Sequence, residues 1–273
     1  MNYEIRREVC IAYYANAYVN FGKYIAHRGL YNNEIPENSI SAFKNAVDKG
    51  FSVELDIRLT KDCKMVVFHD SNLKRMCGVD AEISDFTYEQ LKAFSLGNSD
   101  EKIPLLSDVL KVIDGKVPVL AELKGGYAFW ELEKRVYHIL KQYNGDYAVE
   151  SFNPLSMLWF RIFAPEIKRG QLISEFKNKL DKNYILRKIS SKPFIWKLIS
   201  KPDFVAADLR SISMEQLFAS LDMGADFITW TANSDELIDA AEQFSKTVII
   251  ENTESMSHDF SDNWKSEEES VED

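Results

Sequence analysis

Glu54 and Asp56 stand two residues apart among Val53, Leu55 and Ile57. On an extended strand that spacing puts both carboxylates on one side and the apolar residues on the other. Side-by-side acids repel unless a cation lies between them, and buried acids need partners. Glu122 lies at the end of another apolar run, Val117 to Leu123, while His27 ends the run from Tyr24 and His69 the run from Met65. Three carboxylates offer the all-oxygen ligation that Mg²⁺ or Ca²⁺ prefers. A divalent cation so held polarises a phosphoryl oxygen as a Lewis acid. Two imidazoles add an acceptor for the proton of an attacking hydroxyl and a donor to a departing oxygen. Cleavage of a phosphodiester needs both kinds of help, because its charge repels nucleophiles and its alkoxide leaves poorly. Three carboxylates and one divalent ion leave about −1, so Arg28 and Lys124 are expected to offset that charge for an anionic substrate.

These residues sit at strand ends. Eight short apolar runs alternate with helical-period segments: Tyr24 to His27, Ser52 to Arg58, Val117 to Leu123, Tyr147 to Phe152, Gly170 to Ile173, Phe204 to Asp208, Phe227 to Thr231 and Val248 to Glu251. The alternation predicts βα units around a parallel sheet, and eight is the number that closes a (βα)8 barrel of the TIM type, with its site at the C-terminal ends of the strands. Met65 to His69 follows the second run after only Thr60 to Lys64, too short for a parallel crossover. It is expected to be an antiparallel return strand that modifies the barrel. With its turn near Asp62, His69 returns to about the level of Asp56. Ile40, Phe43 and Val47 predict a helix face behind Pro36-Glu37-Asn38-Ser39, stopped at Gly50. Phe129, Leu132, Val136, Ile139 and Tyr143 predict another.

In chain order, His27-Arg28-Gly29, Pro36-Glu37-Asn38-Ser39 with Ala42-Phe43, Glu54-Leu55-Asp56, His69-Asp70 and Glu122-Leu123-Lys124 resemble the signature of the glycerophosphodiester phosphodiesterases. Ser151-Phe152 and Trp230-Thr231-Ala232-Asn233 extend the likeness over most of residues 24 to 252. The resemblance implies a modified (βα)8 barrel with His27 and His69 as acid and base. It also implies a divalent cation on Glu54, Asp56 and Glu122, the phosphate on Arg28 and Lys124, and Trp230 in the pocket wall. The implied reaction, in lipid and glycerol metabolism, hydrolyses a glycerophosphodiester to sn-glycerol 3-phosphate and an alcohol, or a related lysophospholipid. Two departures stand out. Cys63 occupies a turn position where the family usually has glycine, and Val248-Ile249-Ile250-Glu251-Asn252 replaces a final strand that typically reads Gly-Ile-Ile-Thr-Asp.

The 273 residues, 45% of them hydrophobic, suffice for one barrel-sized domain. The expected division is an N-terminal helical extension over 1–23, the barrel over 24–253 and an acidic, disordered tail over 254–273. Of the net charge of −10, the tail supplies −7 through eight acids against Lys265, a pattern of solvated termini. The charge balance excludes nucleic acid as a partner class. No run is long and apolar enough to predict a spanning helix. Three cysteines without metal-ligand spacing suit free thiols in a reducing, cytoplasmic setting.

Residues 176–201 carry eight basic residues against Asp181, interleaved with Phe176, Tyr184, Phe194 and Trp196. A helical insertion with that composition can lie peripherally on an anionic membrane, cap the site or simply pack its aromatics on the barrel. Three readings of function follow: the hydrolase, a catalytically silent barrel that binds a headgroup, and an intramolecular transfer that releases a cyclic phosphate. His138 and His258 are given no role, and Asp70 is expected to cap the turn after His69.

Overall fold

The computed structural model describes residues 20–125, 130–174, 188, 191–251, 253–260 and 263. Its frame is a closed barrel of eight parallel strands. In chain order these are β1 (Tyr24–Ala26), β2 (Ser52–Leu59), β4 (Val119–Leu123), β5 (Tyr147–Ser151), β6 (Lys168–Ile173), β7 (Phe204–Asp208), β8 (Asp226–Ala232) and β9 (Thr247–Ile250). Neighbours follow that order and β1 pairs with both β2 and β9, which closes the sheet. The extra strand, β3 (Met65–Val67), runs antiparallel along the end of β2 with Leu59 opposite Met65, so the turn centres at Asp62 as the spacing predicts. Within that turn Cys63 has φ 58°, the left-handed conformation that glycine adopts more easily.

Period-two alternation sorts the strand residues into two layers. Ile25, Leu120, Ala148, Leu172, Phe204, Ala206, Ile228 and Ile249 cluster with Phe21 as the barrel's filling. Ala26, Val53, Leu55, Ile57, Val119, Ala121, Val149 and Val248 face outward and pack with helix residues in the larger core. The outer helices include α1 (Ile40–Asp48), α2 (Lys74–Cys77), α3 (Tyr88–Leu91), α4 (Leu106–Ile113), α5 (Glu131–Leu140), α6 (Pro154–Phe163), α7 (Pro193–Leu198), α8 (Met214–Met223) and α9 (Asp235–Glu242). Ser39 caps α1 by accepting from the Ala42 amide at 3.1 Å. The buried stripe of α1 is Ala42, Phe43 and Ala46, with Ile40 and Val47 flanking it rather than lining it. On α5 the buried residues are Leu132, Val136 and Leu140, with Glu133 beside them. Phe129 lies outside the described residues.

Residues 1–19 lie outside the described residues, and residues 20–23 form no helix, because Gly22 at φ 69° turns the chain so that buried Phe21 enters the barrel filling. At the other end the acidic stretch does not leave the barrel at residue 254. Phe260 packs edge-on against Tyr24 and Phe51, and the Asn263 side chain accepts from the Tyr24 amide at 2.7 Å. Aromatic burial at the N-terminal end of the barrel outweighs the solvation of the neighbouring acids; residues 261, 262 and 264–273 lie outside the described residues. No helix among the described residues is long and apolar enough to cross a membrane.

Gly29 has the tightest constraint beside the predicted site. It has φ +77°, and an added Cβ would stand 2.8 Å from the Ala42 carbonyl carbon at the start of α1. Gly29→Ala is expected to destabilise the fold by about 1–3 kcal/mol through overpacking and left-handed strain. A denaturation midpoint equal to wild type would contradict that packing.

Candidate active site

The barrel carries the three predicted acids to its C-terminal mouth. Glu54 and Asp56 point inward from β2, and Asp56 is in register with Glu122 on β4. One oxygen from each lies within 4.8 Å of the others, and all three residues are buried. The inward alternation of β2 forces this convergence, since Leu55 and Ile57 occupy the outer core. Burial, reinforced by Asp56 and Glu122, pushes the Glu54 carboxyl well above its ordinary range, and its Oε1 has no hydrogen-bond partner. Asp56 goes the other way: burial opposes its charge, but Lys124, His69 and Arg28 together hold it well below the ordinary range. An orphaned buried oxygen among three oxygen donors is what a hard divalent cation would satisfy.

Two predicted cations complete the cluster. Lys124 follows β4 and its Nζ lies 2.9 Å from Asp56 Oδ1 and 2.5 Å from Glu122 Oε2. Arg28 Nε is 3.4 Å from Asp56 Oδ2, and its backbone amide donates to Glu54 Oε2 at 2.9 Å. That amide reaches the acid because Arg28 and Gly29 both have positive φ, 57° and 77°, which folds the loop after β1 back over the barrel end. Glu37 then anchors the guanidinium at 2.8 Å, and Asn38 donates to Asp56 Oδ2 at 2.7 Å. Pro36-Glu37-Asn38-Ser39 is thus more than a helix start: Ser39 caps α1, while Glu37 and Asn38 brace the site.

Each predicted histidine is fastened through the same ring atom. His27 Nδ1 lies 2.8 Å from Glu251 Oε2, just beyond β9. His69 Nδ1 lies 2.6 Å from Asp70 Oδ1, and Arg75 Nε donates to the other oxygen of Asp70 at 2.6 Å. Arg75 also grips Glu37, so His69 and Arg28 are linked through one chain of hydrogen bonds and ion pairs. Asp70 is therefore a partner of His69 rather than only a turn cap. Burial and the nearby Lys124 charge lower the His69 pKa, although Asp56 and Asp70 pull upward. The Nε2 atoms of His27 and His69 make no hydrogen bond among the described residues, which leaves them for a ligand.

The opposite wall is aromatic. Trp230 and Phe152 meet edge to face at 5.8 Å and pack on the barrel filling. Three neighbours escaped the sequence reading: Glu251, Arg75 and Glu150. Glu150 is the register partner of Glu122; burial and the Glu122 charge push its carboxyl well above the ordinary range. Its position one residue before Ser151-Phe152 was the available signal. His138 is exposed on α5, as its polar face predicts. His258 is not idle, since it contacts the Tyr24 hydroxyl at 2.5 Å, at the end of the barrel away from the site. Of the basic insertion, residues 176–187, 189 and 190 lie outside the described residues. Its visible end, α7, buries Trp196 and leaves Phe194 and Leu198 exposed, and Lys197 is paired with Asp222 at 2.6 Å.

Comparison with known proteins gives one consistent likeness. A family model described as the glycerophosphoryl diester phosphodiesterase family matches residues 27–253. A glycerophosphodiester phosphodiesterase of Caldanaerobacter subterraneus is 36% identical over 159 residues, which cover 54% of this chain and 65% of that protein. A human lysophospholipase D is 35% identical over 138 residues, 46% of this chain and 43% of its own length. The match thus spans less than two thirds of either relative. Among solved structures, a glycerophosphodiester phosphodiesterase from Thermotoga maritima has a TM-score of 0.64 at 27% identity, covering 86% of this chain and 95% of that one. A phosphodiesterase of Oleispira antarctica, solved with its product sn-glycerol-3-phosphate, has a TM-score of 0.71 at 23% identity, covering 84% and 93%; this second likeness is one of fold.

Proposed function

Because the chain belongs to the glycerophosphoryl diester phosphodiesterase family, we propose that it hydrolyses a glycerophosphodiester to sn-glycerol 3-phosphate and an alcohol, with His27 and His69 exchanging protons. The observation that carries the reading is the buried triad of Glu54, Asp56 and Glu122 beside two imidazoles that each keep Nε2 free. Those three carboxylates would hold a divalent cation, Mg²⁺ or Ca²⁺, which supplies Lewis-acid neutralisation of a non-bridging phosphate oxygen. Arg28 and Lys124 meet the remaining phosphate charge. His69, whose pKa is lowered by burial and Lys124, takes the proton of the attacking water as the new P–O bond forms. His27 gives a proton to the alcohol oxygen as the old P–O bond breaks, so no free alkoxide is released. Trp230 and Phe152 close one side of the pocket.

A lysophospholipid substrate is the second reading, supported by the likeness to a lysophospholipase D. It is also supported by the exposed Phe194 and Leu198 beside Lys192, which suit peripheral contact with an anionic membrane. The free Cys63 and Cys77 thiols fit a cytoplasmic setting. Phosphorus NMR separates the readings when the protein is given glycerophosphocholine, or lysophosphatidylcholine in anionic vesicles, with Mg²⁺ or Ca²⁺. The expected product of the first is glycerol 3-phosphate. A cyclic phosphate would replace hydrolysis by internal transfer, and no turnover of either diester would leave a silent headgroup-binding barrel.

A further inference from the structure

Glu251 lies just beyond β9 and belongs to none of the motifs that carry the family resemblance. It is held at three points: its amide donates to the Ala232 carbonyl at 3.0 Å, the Tyr31 hydroxyl donates to Oε2 at 3.0 Å, and Asn233 reaches Oε1 at 3.5 Å. His27 Nδ1 meets the same Oε2 at 2.8 Å. Burial disfavours its charge, yet the contacts to His27 and Tyr31 hold its pKa down to about 2. Burial and Glu251 itself raise the Tyr31 phenol, which stays protonated and donates. An ionised carboxylate can only accept. The ring atom facing it must therefore carry the hydrogen, and Nε2 is the nitrogen left toward the substrate.

We propose that Glu251 is a positioning residue that fixes the His27 ring as an Nδ1–H donor, directs Nε2 at the departing oxygen and stabilises the imidazolium that donates there. The inference rests on the hydrolase reading for its kinetic consequence. Its geometric content does not. A carboxylate placed behind an imidazole fixes its tautomer and orientation, and Asp70 does the same for His69. The two arrangements differ in their counterions. Asp70 is also ion-paired with Arg75 at 2.6 Å, whereas the other side-chain hydrogen-bond partners of Glu251 are the Tyr31 hydroxyl and the Asn233 amide.

The test combines kinetics with imidazole ¹⁵N NMR on the full chain. In Glu251→Ala, kcat is expected to fall about 10–100-fold with KM changed less than about threefold, because binding groups are untouched and only the proton donor is misaligned. The wild-type spectrum is expected to show His27 protonated at Nδ1 in the neutral ring, with that population redistributed in the variant. Glu251→Gln, whose amide oxygen still accepts from Nδ1–H, is expected to retain the tautomer and recover part of kcat. Wild-type kcat in Glu251→Ala, or a neutral His27 ring protonated at Nε2 in the wild-type protein, would overturn the proposal. The NMR measurement decides it even if the alanine variant does not fold. It also decides it if no diester is turned over, so its failure is distinguishable from failure of the hydrolase reading.

Discussion

Replacing His69 with alanine is expected to lower kcat by about 10²–10⁴-fold, the usual contribution of a positioned general acid or base, while leaving the fold intact. The ring is partly exposed at the mouth and makes its side-chain contact with Asp70, so little packing is lost. Its pH signature follows from the direction of the pKa shift. Burial and Lys124 lower the His69 pKa, so the proton-accepting neutral form persists to lower pH than for an ordinary imidazole of about 6.5. The acidic limb of kcat/KM is accordingly expected below that value in wild type. It should be absent from the residual activity of His69→Ala. A variant that keeps more than a tenth of wild-type kcat, or a limb above the ordinary imidazole range, would remove His69 from the chemistry.

The second large effect belongs to Glu54. Glu54→Gln removes one of three charged oxygen donors while preserving side-chain shape. Loss of the several kcal/mol that a well-held cation contributes to transition-state charge corresponds to about 10³-fold in rate or more. A calorimetric titration with Ca²⁺ reads the cause directly, and affinity is expected to fall more than about 100-fold. The same residue predicts a pH dependence. In the cation-free protein Glu54 has a raised pKa, so the folded state retains a proton that the unfolded chain would release. Its contribution to stability is present below the unfolded value and is lost as pH rises through the folded one. Cation binding must displace that proton. The increase in thermal midpoint on adding Ca²⁺ should therefore be larger at pH 8 than at pH 5.5, with proton release during the titration; an increase independent of pH would contradict the ligation.

What the sequence disclosed and what it concealed divide along a physical line. Glu54, Asp56 and Glu122 were readable because strand periodicity fixes which side chains share a face, and adjacent barrel strands bring those faces into register. His69 was readable because a short turn at Asp62 leaves few ways for the chain to return. The brace formed by Glu37, Arg75 and Asp70 was not, since an exposed arginine on a four-residue helix carries no periodic signal. Glu251 was noticed only as a departure; its contact with His27 spans 224 positions and depends on barrel closure between β1 and β9. The packing of His258 and Phe260 was hidden by the acids around them, since composition averages away two aromatic residues whose burial decides the local structure.

A high-resolution structure with Ca²⁺ and sn-glycerol 3-phosphate bound bears most directly on the site. It should place one ion about 2.3–2.6 Å from oxygens of Glu54, Asp56 and Glu122, with Nε2 of both His27 and His69 about 2.6–3.2 Å from phosphate oxygens or a bridging water. An ion held elsewhere, or either imidazole turned away from the phosphate, would contradict it.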